Sequence, residues 1–163
     1  MNVDTILAAL NDETVDYVLI GGMNFLIRHL PELTFDVDIW VCDTPENLER
    51  LNCALRRLGA AWGPTENEWA PVPQKSQWLL RQSVFCLTTD HGALDIFREV
   101  RGLEGCYAQC RDRAIESVTA SGTAFRGLND EDMLACQEAL PVSEQKLRRV
   151  EHLRRCIQER KGH

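Results

Sequence analysis

Three aspartates interrupt apolar segments that otherwise look like buried strands. Asp36 and Asp38 lie in FDVDIWV, and Asp95 lies later in ALDIF. Residues two apart on a strand point to the same face, so the first two carboxylates would lie roughly 6–7 Å apart. Half-buried carboxylates repel each other and lose hydration, which favours a cation beside them. If the strand of Asp95 is a neighbour, three oxygen ligands predict Mg²⁺ or Mn²⁺ at this position.

A short D-x-D pattern also occurs on edge strands with one wetted face, where exposed carboxylates need no cation. Trp40 lies on the same face as Asp36 and Asp38, which argues against full exposure. We expect Trp40 to be a packing residue. At the level of the sequence, both interpretations of the aspartate pair stay open.

A glycine pair precedes the aspartates. Gly21 and Gly22 follow the apolar run YVLI and open the helical pattern MNFLIRHL. Their amides can approach phosphate oxygens, aided by the positive end of the helix, although a tight turn also explains a double glycine. Combined with three carboxylates, the pair gives the layout for two-metal nucleotidyl transfer, with a triphosphate held by amides and metal ions.

The surrounding pattern predicts strands and helices that position these residues. A helix is predicted at 3–10, and strands at about 15–20, at FDVDIWV, and in a hairpin of SVFCLTT and ALDIF. Thr44, Pro45 and leucines at helical spacing predict a helix that ends at Gly59. The segment 62–75 has three prolines and two tryptophans, and it predicts a loop long enough to cover a site.

The C-terminal part is predicted to be helical after two weak strands near 115–118 and 124–125. One helix is expected to be capped by Asn129 or Asp130, and the last helix by Ser143. We expect a single domain over 1–163, with a core at about 15–126 and a helical part at about 129–160. His29, at a predicted helix end, and His91, in a turn, are expected to be structural rather than catalytic.

Composition and charge indicate an ordinary soluble globular protein, with 44% hydrophobic and 26% charged residues. The longest apolar stretch is too short to span a bilayer and resembles no cleavable leader, so we expect a cytoplasmic protein without a membrane partner. Seven irregularly spaced cysteines favour reduced thiols, and Cys106 and Cys110 lack the further ligands of a zinc site.

The charge is unevenly distributed along the chain. The net charge is −7, yet residues 143–163 carry seven basic and three acidic side chains, a net charge of +4. A basic helix on an acidic body can contact RNA or an acidic partner, and it can equally be a solvated helix face.

Together these motifs resemble the DNA polymerase β-like nucleotidyltransferase superfamily. The resemblance rests on VLIGGMNFLIRHLPELTFDVDIWV, with its glycine pair and D-x-D, and on the third acid in ALDIF, and it covers about residues 15–97. The ending LNDEDMLACQEAL and VEHL more loosely resembles the AbiEii/AbiGii toxin-type bacterial nucleotidyltransferases. The implied fold is α/β (α+β): a mixed β-sheet flanked by helices, with C-terminal helices.

The resemblance also implies roles for individual residues. Asp36 and Asp38 would bind both metal ions, and Asp95 would bind the ion that activates the acceptor hydroxyl and would serve as its base. Gly21 and Gly22 would hold the triphosphate of an NTP. These expectations define a catalytic and metal-binding set of three aspartates beside a backbone cradle.

Around the first aspartate, relatives often read R-x-T-x-D-x-D with a cation just before the first aspartate. Here Thr34 matches and is expected to bind nucleotide, while Glu32 and Phe35 stand at the cation positions. Gln137 stands where a lysine is common. The candidates for replacing these cations are Arg28, Arg81 and Arg98.

The implied reaction transfers an NMP from an NTP to a hydroxyl acceptor and releases pyrophosphate, with Mg²⁺ or Mn²⁺ as cofactor. A toxin-type enzyme would act on tRNA or protein and would have an antitoxin partner. The alternative acceptor is a small molecule, as in enzymes that adenylylate lincosamide-type antibiotics, and the acidic body and Trp62, Trp69 and Trp78 suit it equally. The non-enzymatic alternative is a degenerate nucleotide- or partner-binding module.

Overall fold

The computed structural model describes residues 1–162, which form one mixed β-sheet with helices on both faces. The helices are α1 (Val3–Asp12), α2 (Gly21–Arg28), α3 (Pro45–Arg57), α4 (Tyr107–Asp112), α5 (Asp130–Glu138) and α6 (Leu147–Lys161). The strands are β1 (Tyr17–Ile20), β2 (Asp36–Val41), β3 (Ala61–Trp62), β4 (Ala70–Pro71), β5 (Val84–Thr89), β6 (Gly92–Phe97), β7 (Ile115–Val118) and β8 (Ala124–Gly127). The predicted fold class is confirmed.

Strand β2, which carries two of the aspartates, lies inside the sheet. The strand order is β4-β3-β5-β6-β2-β1-β8-β7. β2 pairs antiparallel with β1 and parallel with β6, while β5 and β6 form the predicted hairpin. The edge-strand interpretation of the D-x-D pattern is therefore wrong, because β2 has a hydrogen-bonded neighbour on each side.

The faces of β2 follow the predicted alternation. Val37 and Ile39 are fully buried in a cluster with residues of α1 and α3. Trp40 points to the opposite face, where it is buried and packs edge-on against Tyr107 at 5.2 Å between ring centroids. Trp40 thus has the packing environment expected of it, and the two aspartates precede it on the same face.

Two of the three predicted N-terminal caps are present. The Thr44 side chain accepts from the Asn47 amide at the start of α3, and the Asn129 side chain accepts from the Asp132 amide at the start of α5. The prediction that Ser143 caps the last helix is wrong. Ser143 lies in a short 3₁₀ turn after Pro141, and α6 begins only at Leu147.

The proline-rich segment 62–75 packs at the edge of the sheet formed by β3 and β4. Asn52 of α3 donates to the carbonyls of Pro73 and Gln74, and it accepts from Trp78 Nε1 at 2.8 Å. Trp78 also packs with Trp62 and Phe85. The segment therefore has a packing role on the side of the sheet away from β1, instead of the expected role as a cover.

Two further observations concern the chain as a whole. Over residues 1–162, every helix is too short or too polar to cross a bilayer. The seven cysteines are all free thiols, as the irregular spacing predicts.

Candidate active site

The register of the central strands brings the three aspartates together. In the parallel β2–β6 pair, Asp38 lies directly opposite Asp95, and Asp36 lies two residues earlier on the same face. One carboxylate oxygen from each of the three residues lies within 4.8 Å of the other two. All three side chains are half-buried.

Burial and mutual repulsion strongly perturb this cluster. Burial, followed by the charges of Asp36 and Asp95, raises the pKa of Asp38 from 3.8 to about 8. Burial and the neighbouring Asp36 raise the pKa of Asp95 to about 6. The buried Oδ1 of Asp38 has no hydrogen-bond partner among residues 1–162.

These features fit a hard divalent cation. A cation would stabilise the charged carboxylates, and it would satisfy the unpaired Asp38 oxygen that the surrounding chain leaves without a donor. An all-oxygen set of ligands without histidine or thiolate favours Mg²⁺ or Mn²⁺ over zinc. Asp36, Asp38 and Asp95 are the residues that would hold it.

The glycine pair lies against these carboxylates. Gly21 is the first residue of α2 and has a φ of +68°, in the left-handed region that side chains disfavour. A Cβ at Gly21 would overlap the Asp38 carboxylate. A Cβ at Gly22 would lie 3.1 Å from Thr34 Oγ1 and from Glu32. The absence of side chains at both positions thus allows the N-terminus of α2 to reach the start of β2.

A cavity of about 440 Å³ opens beside the aspartates. Its walls include the residues predicted to bind nucleotide and metal: Gly21, Gly22, Thr34, Asp36 and Asp38. Basic side chains contribute as well, namely Arg101, Lys146 and Arg149. Among the residues the structure describes, Asp95 is outside this lining, and it belongs to the site through its contact with the other two aspartates.

Two of the three basic residues lie beside Glu32 and Gln137, the positions that lack the expected cations. Arg149 of α6 binds Glu32 at 2.6 Å, so an arginine sits beside the position where relatives carry a cation. Gln137 accepts from the Lys146 amide at 2.7 Å, which fixes Lys146 next to the other uncharged position. Sequence reasoning missed Arg149 and Lys146, since the only signal was the general basicity of the tail.

The arginines that the sequence suggested as replacements are engaged elsewhere. Arg28 donates to the Leu128 carbonyl and to Asp130. Arg98 forms an ion pair with Asp43 at 2.8 Å. Arg81 is exposed at the end of the turn Ser76–Leu80. The cavity therefore receives its positive charge from Arg101 and α6 instead.

Cys86 is a further neighbour of the aspartates that the sequence did not single out. It lies opposite Asp95 in the β5–β6 pair, on the same face of the sheet. Burial and the charge of Asp95 raise the pKa of its thiol. The hairpin register was the signal that could have located it.

A larger cavity, of about 1000 Å³, lies elsewhere, near the start of β1 and the strands β7 and β8. Its acidic residues Asp16 and Glu116 are already paired with Arg111 and Arg126. The smaller cavity is the better candidate for catalysis, because unpaired carboxylates and a helix N-terminus converge there.

The basic C-terminal helix is partly neutralised by the body of the protein. Arg160 pairs with Asp130 at 3.1 Å and with Glu131, and Arg154 lies 3.6 Å from Glu138. Together with the Arg149 pair, these contacts reduce the charge that α6 offers to a nucleic acid, and they favour the interpretation of α6 as a structural helix.

Comparison with solved structures supports the fold. The chain is similar to the antibiotic-resistance factor ANT(2'')-Ia, with a TM-score of 0.52 and 14% identity over 98% of this chain and 91% of that chain. It also resembles a candidate nucleotidyltransferase from Thermotoga maritima, with a TM-score of 0.36 and 15% identity over 78% of this chain and 63% of that one. The chain matches no protein-family model and no curated protein. The first similarity shows that the chain shares its fold with ANT(2'')-Ia.

Proposed function

We propose that the protein is a metal-dependent nucleotidyltransferase that moves an NMP from an NTP to a hydroxyl acceptor and releases pyrophosphate. The observation that carries the proposal is the convergence of Asp36, Asp38 and Asp95 beside a helix N-terminus that two glycines leave open. The fold shared with ANT(2'')-Ia supports it. The two-metal mechanism and the site residues are part of this proposal.

The chain's own residues then have distinct roles. Asp36, Asp38 and Asp95 hold the Mg²⁺ or Mn²⁺ ions, which when bound stabilise the charge that develops on the transferred phosphate. The amides at Gly21 and Gly22, with Thr34, orient the triphosphate at the positive end of α2. Arg101, Lys146 and Arg149 line the same cavity, where they offset the charge of the phosphates.

The chemical step balances without a further reactant. The acceptor oxygen bonds to the α-phosphorus while the bond to the bridging oxygen of pyrophosphate breaks. The hydroxyl proton passes to the Asp95 carboxylate, which acts as the general base. The products are the nucleotidylated acceptor and pyrophosphate.

For the acceptor we propose two classes that one assay separates. The toxin-type resemblance favours tRNA or a protein hydroxyl, and with it an antitoxin partner. A small polyhydroxylated acceptor is favoured by the ion pairs that neutralise α6 and by the shared fold of an antibiotic-resistance factor. The tryptophans favour neither class: Trp62 and Trp78 pack together at the other side of the sheet, and Trp69 is 40% exposed.

The test is transfer of label from each α-³²P-labelled NTP in the presence of Mg²⁺. The acceptors are a small-RNA fraction, a protein fraction and a panel of polyhydroxylated antibiotics. We expect label on one acceptor class, its loss in Asp38→Asn, and its retention in Asp112→Asn, which removes an exposed aspartate whose side chain is 76% exposed. Binding of NTP without label on any acceptor would identify a degenerate binding module instead.

Arg149→Gln is expected to raise the KM for the NTP by about 10-fold to 100-fold, with a smaller effect on kcat. The variant loses a charge-assisted contact to phosphate, worth about 1.5–3 kcal/mol, and leaves Glu32 unpaired at the cavity. Steady-state kinetics with varied NTP measure the effect. Arg155→Gln is the matched control, because Arg155 is an exposed arginine on the same helix. An unchanged KM in Arg149→Gln would show that Arg149 serves only the Glu32 ion pair.

A further inference from the structure

A second cluster of ligand-type side chains lies between α2 and α6, and it is independent of the proposed function. His29 is the C-cap residue of α2, while His152 and Cys156 lie four residues apart on one face of α6. His152 Nε2 lies 3.3 Å from His29 Nδ1 and 3.4 Å from Cys156 Sγ. One ligand atom from each residue lies within 4.8 Å of the other two.

Asp130 fixes the orientation of His29. The Asp130 carboxylate, whose side chain is 3% exposed, lies 2.7 Å from His29 Nε2 and is also held by Arg28 and Arg160. A carboxylate only accepts hydrogen bonds, so the hydrogen-bond network assigns a proton to His29 Nε2 and a lone pair to Nδ1. That lone pair faces His152 and Cys156. A carboxylate behind the outer nitrogen of a histidine is the usual second-shell arrangement of metal-bound imidazoles.

The two ligand-atom distances that involve His152 fit tetrahedral coordination. Zinc binds histidine nitrogen at about 2.0–2.1 Å and thiolate sulfur at about 2.3 Å. At tetrahedral angles, these bond lengths place two nitrogens about 3.3 Å apart and a nitrogen and a sulfur about 3.6 Å apart. The observed values are 3.3 Å and 3.4 Å. Without a cation, His152 Nε2 carries at most one proton and can donate a hydrogen bond to only one of its neighbours, His29 Nδ1 or Cys156 Sγ.

We propose that His29, His152 and Cys156 bind one Zn²⁺ ion, with the fourth coordination position open to water. Two imidazoles and one thiolate select a soft transition metal rather than the Mg²⁺ that suits the aspartates. Binding releases the Cys156 thiol proton to solvent, and the thiolate lone pair forms the bond to the metal. The site lies outside the aspartate cavity.

The position of the site gives it a structural consequence. Phe25 packs against His29 at 5.4 Å and His152 at 5.7 Å between ring centroids, and the Arg149 guanidinium lies 5.6 Å from the same phenyl ring. The ion would therefore link the end of α2 to α6 and brace the helix that presents Arg149 to the cavity.

The test is Zn²⁺ titration by calorimetry in excess Mg²⁺, which competes with Zn²⁺ for carboxylate ligands, together with the absorption spectrum of the Co²⁺-loaded full chain. We expect one Zn²⁺ per chain, and a thiolate-to-cobalt charge-transfer band with the visible bands of tetrahedral Co²⁺. Cys156→Ser and His152→Gln are each expected to weaken Zn²⁺ binding at least 100-fold, and Cys156→Ser to remove the charge-transfer band. Cys53→Ser, at an exposed cysteine, should leave both unchanged.

Three results would overturn the proposal: no Zn²⁺ bound by the unmodified chain, Zn²⁺ binding that neither variant weakens, or a Co²⁺ complex without the thiolate band. The spectrum of the unmodified chain does not depend on how the variants fold, so it decides the question even if a variant is unstable.

Discussion

Replacing Asp38 with asparagine is expected to abolish nucleotidyl transfer and, in the same variant, to stabilise the metal-free protein at pH 8. Asp38 carries the buried oxygen that the chain leaves without a donor, and it lies directly opposite Asp95. Without its charge the aspartates lose their central metal ligand. We expect transfer to fall by at least about 1000-fold, which corresponds to about 4 kcal/mol of transition-state stabilisation.

The stability effect follows from the raised pKa. Burial and the charges of Asp36 and Asp95 raise the pKa of Asp38 to about 8, so the folded metal-free protein binds this proton more tightly than the unfolded chain does. The resulting stabilisation is complete below the ordinary value of 3.8 and is lost as the pH rises through about 8. Asparagine cannot ionise, so we expect the variant to gain about 1–3 kcal/mol in the free energy of unfolding near pH 8, as one pKa unit corresponds to about 1.4 kcal/mol.

Urea unfolding at pH 5 and pH 8.5, with and without Mg²⁺, measures this effect. The unmodified protein should lose stability between the two pH values without Mg²⁺ and regain it when Mg²⁺ is added. Asp38→Asn should show a smaller loss, from Asp95 with its pKa of about 6, and a smaller gain when Mg²⁺ is added. Asp112→Asn should behave like the unmodified protein. An Asp38→Asn variant that keeps its transfer activity, or that is less stable at pH 8.5, would contradict the assignment.

Gly21→Ala is expected to reduce transfer by at least about 100-fold while the chain still folds. Two costs act at this position. The φ of +68° costs a residue with a Cβ about 1–2 kcal/mol, and the Cβ would overlap the Asp38 carboxylate. The overlap must be relieved by moving Asp38 or the start of α2, and a displacement of 1 Å in a catalytic group can cost about 100-fold in rate.

Gly105→Ala separates the two costs. Gly105 has a φ of +70°, and a Cβ there would meet nothing within 4 Å among residues 1–162. Gly21→Ala should therefore lose at least as much stability as Gly105→Ala in a thermal melt, and only Gly21→Ala should lose transfer and Mg²⁺ affinity. Equal activity in the two variants would show that the close approach of Gly21 to Asp38 has no catalytic role.

The parts of the site that could be predicted from the sequence are those encoded by local patterns. The alternation of β2 placed Asp36 and Asp38 on one face, and the glycine pair at a strand-to-helix junction placed Gly21 and Gly22 at the helix N-terminus. The pairing of Asp38 with Asp95 needed the β2–β6 register. The family resemblance implied that Asp95 lies beside the other two aspartates. The alternation of residues within each strand could not predict which strands are neighbours.

The parts that could not be predicted depend on contacts between distant segments. Arg149 reaches Glu32 only because α6 folds back across α2, and the cluster of His29 and His152 has the same origin. The local pattern also gave a wrong prediction at Ser143. Serine is a good cap residue, but Ser143 lies in a 3₁₀ turn after Pro141, about one turn before α6 begins at Leu147. A tertiary contact outweighed the capping preference there. The Lys146 amide, directly before α6, donates a hydrogen bond to the Gln137 side chain of α5.

The most direct test of the central claim is a crystal structure of the protein with Mn²⁺ and a non-hydrolysable NTP. We predict anomalous density for Mn²⁺ in contact with carboxylate oxygens of Asp36, Asp38 and Asp95, and a triphosphate at the amides of Gly21 and Gly22. A nucleotide bound elsewhere, or a cavity in which these aspartates contact neither Mn²⁺ nor phosphate, would contradict the proposed function.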